Sequence, residues 1–142
     1  IGDDECGDRS SIWFNSVKRG DVHFIKIGNE VNVQDGAIIH CTYKKSPTTI
    51  GNQVTIGHNA IVHGCTIKDR VLIGMGAIVL DNCIIESDSI IAAGAVVTMG
   101  THVKSGEIYA GVPAKKVKDG EFKKQLLDLA NKYVEYSKWY KV

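Results

Sequence analysis

Three histidines, His40, His58 and His63, have the type and spacing needed to bind one metal ion in this 142-residue chain. Three neutral imidazoles with an open fourth position are typical of a catalytic zinc site rather than a structural one. An ion held in this way lowers the pKa of its bound water to about 7 and so supplies hydroxide at neutral pH. Three imidazoles suit zinc, cobalt and iron alike, so these residues leave the choice of metal open.

A six-residue repeat runs through most of the chain and would position the histidines. An aliphatic or aromatic residue recurs at every sixth position from Ile67 to Tyr109, and the same phase appears in 27–39 and 50–62. This period is typical of a parallel β-helix, whereas a 3.6-residue or a two-residue period does not fit it. We therefore predict an all-β solenoid over residues 1–113, in the left-handed form that departs from the usual right-handed crossover.

The pattern changes after residue 113. From 121 to 141, apolar residues recur at alternating intervals of four and three, which predicts an amphipathic helix. These residues are Phe122, Leu126, Leu129, Tyr133, Tyr136 and Tyr140. We expect residues 114–142 to form a linker and a helix packed on the β-helix or on a neighbouring subunit, within a single domain overall, and we assign no chemistry to them.

The position of each histidine within its coil determines what it can reach. Three hexads make one coil, and His40 and His63 occupy equivalent places in the third hexads of adjacent coils. Neighbouring strands lie about 4.8 Å apart, so both rings can share one ion on one face. His58 lies in a second hexad, on another face or corner. We therefore predict a homotrimer with sites at its interfaces, where His40 and His63 come from one chain and His58 from its neighbour.

Other polar residues converge on the same region. Gln34 and Asp35 lie in the second hexad of the preceding coil, with Asp35 directly below His58. Arg19 and Asp21 lie on the face that carries the other two histidines. An Arg19–Asp35 pair could bind across the interface in bidentate geometry. An ordinary surface ion pair, which contributes little to stability, remains the alternative.

At these residues the chain resembles the gamma-class carbonic anhydrases. The resemblance rests on Arg19–Asp21 (R-G-D), Asn32–Gly36 (N-V-Q-D-G) and His58–His63 (H-x-x-x-x-H), with further similar stretches at Ser11–Asn15 and Ala110–Lys115. The hexapeptide repeat alone is shared with many acyltransferases, but this set of motifs is specific.

The resemblance implies a trimer that hydrates carbon dioxide reversibly to bicarbonate, with zinc, iron or cobalt bound at the three histidines. It implies that Gln34 orients the metal-bound hydroxide. It also implies that Arg19, Asp21 and Asp35 form interface ion pairs beside the site, and that Tyr109 matches a tyrosine near the metal. The candidate catalytic residues are Gln34, Arg19, Asp35 and Tyr109.

The segment after His40 departs from the pattern of this family. The best-characterised active members carry an acidic loop there, whose glutamate transfers protons to solvent, but Cys41–Pro47 contains no carboxylate. General acid–base transfer of this kind is worth about 10²–10⁴ in rate. The sequence therefore predicts a slow enzyme, or a metal-binding relative with little hydratase activity.

Two alternatives remain open from the sequence. One is a hexapeptide-repeat acyltransferase, in which His23 or His102 would act as general base, although no arrangement of residues around either histidine favours it. The other is a non-catalytic trimeric binding protein that retains a metal ion for stability.

Bulk properties restrict the partners. The net charge of +1 gives no basis for binding nucleic acid or an acidic membrane. No apolar run is long enough to span a bilayer, and no secretory signal is visible. Four cysteines without C-x-x-C spacing fit reduced thiols in the cytoplasm. Because Ile1–Asp4 resembles part of a hexad, we also expect a further coil upstream.

Overall fold

The computed structural model describes residues 1–140 as a parallel β-solenoid of about six turns followed by one helix. In chain order the strands are β1 (Gly2–Cys6), β2 (Ser11–Ile12), β3 (Val17–Lys18), β4 (Gly20–Ile27), β5 (Asn32–Val33), β6 (Ile38–His40), β7 (Thr48–Ile50), β8 (Thr55–Ile56), β9 (Ile61–His63), β10 (Thr66–Ile67), β11 (Leu72–Ile73), β12 (Ile78–Val79), β13 (Ile84–Ile85), β14 (Ile90–Ile91), β15 (Val96–Val97), β16 (His102–Val103), β17 (Glu107–Ala110) and β18 (Lys115–Asp119). The helix α1 (Lys123–Ser137) is followed by a 3₁₀ turn at Lys138–Tyr140.

The strands form three sheets, one along each face of the solenoid. Sheet A has the order β1-β4-β7-β10-β13-β16, sheet B has β18-β17-β14-β11-β8-β5-β2, and sheet C has β15-β12-β9-β6-β3. From β1 to β17, each strand lies in a different sheet from the one before it, whereas β18 stays in sheet B. Among the described strands, β17–β18 is the antiparallel pair and the others pair in parallel. The predicted left-handed parallel β-helix is confirmed.

The interior is filled by the apolar residue that begins each hexad. Ile39, Ile56, Val62 and Ile73 are completely buried in one continuous core. Smaller side chains four residues later, at Ala37, Ala60, Ala77, Cys83 and Ala95, are buried beside them. β-branched residues favour such short, close-packed strands. The six-residue period is therefore the packing period of the core.

Tight turns allow adjacent coils to stack at the corners. Asn15, Asn59 and Asn82 adopt positive φ angles of 59°, 58° and 61°, a region that asparagine tolerates better than most residues. At Gly57 a Cβ atom would lie 2.8 Å from the backbone nitrogen of Met75 in the next coil. A side chain at Gly57 would force the coils apart.

Two parts of the chain lie outside the regular repeat. The extra residues before Ile27 are accommodated in β4, which is eight residues long and pairs with β1 through a register shift. In the segment predicted to be a linker, β18 forms an antiparallel edge strand on β17. Its five residues are all exposed and three are lysines, a composition that protects a sheet edge from further pairing. With no buried residue, β18 has no hexad signal.

The C-terminal helix lies across one face of the solenoid. It contacts β2, β5 and β8 of sheet B and buries Leu126 and Ala130. The final residues of the predicted helical segment, 141–142, lie outside the described part of the chain. Within residues 1–140, no helix is long and apolar enough to cross a membrane.

We expect Ile85→Ala to lower the free energy of unfolding by about 2–5 kcal/mol, because it opens a cavity in the core. Ile85 is completely buried, whereas its neighbour Ile84 points outward and is 38% exposed. Ile84→Ala is the matched control and should change stability by less than about 1 kcal/mol. Denaturant unfolding at one fixed protein concentration measures both. Equal losses in the two variants would contradict the assignment of inward and outward faces.

Candidate metal centre

The strand pairing brings two of the three candidate histidines side by side. Strands β6 and β9 are neighbours in sheet C, and His40 is paired directly with His63 in their register. The Nδ1 atom of His40 lies 3.3 Å from the Nε2 atom of His63. Both rings are partly buried on the outer side of the sheet. This is the juxtaposition expected from equivalent positions in adjacent coils.

A carboxylate contacts the far nitrogen of each ring. His63 Nδ1 lies 2.6 Å from Asp81 Oδ1, and His40 Nε2 lies 3.1 Å from Asp21 Oδ1. An ionised carboxylate only accepts hydrogen bonds, so each of these nitrogens carries the proton. In the neutral imidazoles, the two nitrogens that face each other therefore both carry lone pairs. A hydrogen bond between them would require an additional proton.

The gap between the two lone pairs fits a metal ion. Zinc–nitrogen bonds of about 2.0–2.1 Å at a tetrahedral angle place two ligand nitrogens about 3.3 Å apart. His40 Nδ1 and His63 Nε2 have this separation. The contacts from Asp21 and Asp81 are of the kind that fix the tautomer and orientation of metal-binding histidines. The donor set thus fits zinc, and imidazole suits iron and cobalt as well.

Hydrogen bonds from neighbouring side chains keep both carboxylates ionised. Arg19 donates to Asp21 over 2.6 Å and, together with His40, holds the pKa of that carboxyl below its usual value. Burial alone would raise the pKa of Asp81, but hydrogen bonds from Thr42 and His63 lower it. Both groups are therefore negative at neutral pH beside the histidine pair.

His58 lies at a different corner of the solenoid, between β8 and β9. Its Nδ1 atom is 3.3 Å from Asp35 Oδ1, and the Asn59 amide donates to the Asp35 carbonyl, so Asp35 lies below it as the register predicted. Among residues 1–140 of a single chain, no three His, Cys, Asp or Glu side chains form a metal-binding group. One chain thus assembles two of the predicted ligands, and the contribution of His58 from a neighbour stays a prediction.

Gln34 is held by a chain of buried polar groups next to His58. Its Nε2 donates to Asn32 Oδ1 over 3.0 Å, and Asn32 Nδ2 donates to Thr55 Oγ1 over 3.0 Å. This network leaves the Oε1 atom of Gln34 as an acceptor for the cleft that it lines with His58. The cleft is otherwise mainly apolar, with a volume of about 330 Å³.

The chain is similar to several known proteins. Residues 64–98 match the bacterial transferase hexapeptide family (six repeats). A crystal structure of a hexapeptide transferase family protein from Anaplasma phagocytophilum is 40% identical, with a TM-score of 0.94 over 99% of this chain and 84% of that one. The carbonic anhydrase of Geobacillus kaustophilus is 38% identical, over 99% of this chain and 78% of its own length.

The mitochondrial gamma carbonic anhydrase 2 of Arabidopsis thaliana is 41% identical over 96% of this chain. This chain belongs to the gamma carbonic anhydrase family. It spans about half the length of the Arabidopsis gamma carbonic anhydrases that it matches (44% and 49%).

Two residues beside the site of this gamma carbonic anhydrase family member were not predicted. Asp81 lies one coil of 18 residues beyond His63, so extending the register count by one coil would have found it. Tyr133 belongs to the apolar stripe of α1 and lines the cleft with Gln34 and His58. Burial raises the pKa of Tyr133. Its place beside the cleft depends on which face of the solenoid the helix packs against, which the apolar stripe does not specify.

The structure places Tyr109 away from the histidine pair. It lies in β17 of sheet B, where it pairs with Ile91 and packs against the core. In sheet B, two strands, β14 and β11, lie between β17 and β8, and β8 is the strand that precedes His58. The proposed match of Tyr109 to the tyrosine of other gamma carbonic anhydrases stays a prediction, and Tyr133 is nearer to His58 in this chain.

The histidines considered for acyl transfer lie outside this site. His102 is on sheet A, where its Nε2 lies 2.8 Å from Glu86 Oε1. His23 accepts a hydrogen bond at Nδ1 from the backbone amide of Phe24. Neither residue lines the cleft beside Gln34.

Proposed function

We propose that this chain catalyses the reversible hydration of carbon dioxide to bicarbonate at a metal centre shared between two subunits of a homotrimer. One observation carries the proposal: His40 Nδ1 and His63 Nε2, each with a lone pair, lie 3.3 Å apart. A carboxylate bonded to the opposite nitrogen of each ring holds them there. Relatives named as carbonic anhydrases support the reaction. Zinc is the proposed metal, and iron and cobalt suit the same imidazole donors.

The residues of the site have separable roles. His40 and His63 would hold the metal together with His58 of a neighbouring subunit. When bound, such an ion acts as a Lewis acid that lowers the pKa of water to about 7. Gln34 lines the cleft and uses Nε2 to bond Asn32, so its Oε1 atom would accept a hydrogen bond from the reacting water and orient it toward carbon dioxide. The apolar cleft wall suits a small nonpolar substrate.

The outer surface of sheet C supports the proposed homotrimer. Val17 and Ile38 are 44% and 40% exposed on paired strands next to the histidine face. Their burial against another subunit would be favourable, by about 25 cal/mol per Å² of apolar surface. At the same face, Arg19 is 43% exposed and donates to Asp21, so its guanidinium remains available for a further ion pair with Asp35 across an interface.

Proton export is the step for which this chain is least equipped. The loop 41–47 contains no carboxylate, and the nearby Asp81 is occupied by Thr42 and His63. A positioned proton-transfer group is worth about 10²–10⁴ in rate. We therefore propose slow turnover compared with relatives that carry an acidic loop.

We expect removal of the metal by a chelator to abolish hydration of carbon dioxide, and zinc to restore it in proportion to occupancy. Stopped-flow hydration on protein with quantified metal measures this. A hexapeptide acyltransferase should transfer an acetyl group equally well before and after chelation. Acetyl transfer that is unaffected by the chelator would therefore favour the acyltransferase alternative. Full metal occupancy without turnover would instead favour a non-catalytic, metal-stabilised binding protein. The cytoplasmic location and the lack of nucleic-acid and membrane partners stay predictions.

A further inference from the structure

Asp81 is a partly buried carboxylate that contacts the histidine pair from the side opposite the metal position. It follows β12 and is only 15% exposed. Its Oδ1 atom lies 2.6 Å from His63 Nδ1, and its Oδ2 atom accepts a hydrogen bond from the Thr42 hydroxyl. Because each oxygen has a separate partner, rotation of the carboxylate would break both contacts.

The packing around Asp81 also fixes its position. A Cβ atom at Gly64 would lie 2.9 Å from Asp81 Cγ and 2.9 Å from Ser46 Cβ, so the three residues fit only without a side chain there. Ser46 Oγ donates to the side chain of Asn82 over 3.1 Å. The loop 41–47 is thus attached to the coil that carries Asp81 through Thr42 and Ser46.

On the basis of the proposed function, we propose that Asp81 is a positioning residue for the metal ligand His63, and that Thr42 holds Asp81 in place. A negative acceptor at Nδ1 keeps the proton on that nitrogen and leaves the lone pair on Nε2, directed at His40. The same contact holds the plane of the ring. Thr42 holds the other carboxylate oxygen and so links the loop 41–47 to the geometry of the metal centre.

Loss of such a contact weakens metal binding about 10- to 100-fold in other proteins. We expect a loss of this size in zinc affinity for Asp81→Asn, and a smaller loss for Thr42→Val, which keeps the carboxylate. Glu86→Gln is the matched control, because Glu86 makes the same kind of contact with His102 on sheet A. Zinc affinity is measured by competition with a chromophoric chelator on the assembled protein.

A second readout separates positioning from general damage to the fold. In zinc-free protein, ¹⁵N NMR of the histidine rings should show His63 protonated at Nδ1, and Asp81→Asn should increase the Nε2-protonated tautomer. If Asp81→Asn does not fold, Thr42→Val tests the same contact. Unchanged affinity and tautomer would overturn the role of Asp81 while leaving the metal centre intact. Absence of any zinc site dependent on His63 would overturn both proposals.

Discussion

Replacement of His63 by alanine should remove the metal from this protein. The variant keeps the fold, because the His63 side chain lies on the outer surface of sheet C and the core residue beside it is Val62. It loses one of two ring nitrogens that converge on the same point. Since loss of a supporting contact alone costs about 10- to 100-fold in metal affinity, loss of a ligand should cost more than about 100-fold.

Zinc content and affinity of the purified protein measure this effect. His23→Ala is the matched control, because His23 is a partly buried histidine in β4 of sheet A and does not line the cleft. It should bind zinc like the unaltered protein. Equal zinc binding by His63→Ala and the unaltered protein would show that the histidine pair is not the metal site.

Subunits that carry different histidine substitutions should together restore complete zinc sites when they assemble in one trimer. If His40 and His63 of one chain meet His58 of the next, neither His58→Ala nor His63→Ala alone can form a complete site. In a trimer with random composition, a site is complete when a His58→Ala chain provides its His40 and His63 and a His63→Ala chain provides His58. Equal coexpression should thus restore about one quarter of the sites in a cyclic trimer.

A second pair of variants is the control for this experiment. His40→Ala and His63→Ala remove ligands that lie 3.3 Å apart on the same chain. Every combination of these two chains lacks one of the two nitrogens, so coexpression should restore no zinc sites. Bound zinc per chain measures both mixtures. Recovery in both, or in neither, would contradict the division of ligands between subunits.

The fold was predictable because its information is local. Each hexad places a large residue such as Ile73 and a small residue such as Ala77 in the interior, and the pattern repeats with every coil. Counting hexads was sufficient to pair His40 with His63 and to place Asp35 below His58. A regular solenoid therefore turns sequence register directly into spatial register.

The features that the sequence did not predict depend on contacts outside the six-residue repeat. The edge strand β18 buries nothing, so its residues show no apolar period. Tyr133 reaches the cleft because α1 packs on sheet B, across β2, β5 and β8, and the apolar stripe does not say which face of the solenoid the helix covers. Trp13 packs edge-on against the Tyr133 ring at 5.7 Å, a contact between residues 120 positions apart. Such tertiary contacts are set by the fit of two surfaces rather than by local pattern.

The most direct test of a shared hydration centre is the stopped-flow rate of carbon dioxide hydration by coexpressed His58→Ala and His63→Ala chains supplied with zinc. The expected result is negligible turnover for each variant alone, and about one quarter of the unaltered rate for the mixture, in line with the fraction of complete sites. A mixture that stays inactive while the unaltered protein turns over would contradict the shared centre. An unaltered protein with full zinc and no turnover would contradict hydration itself.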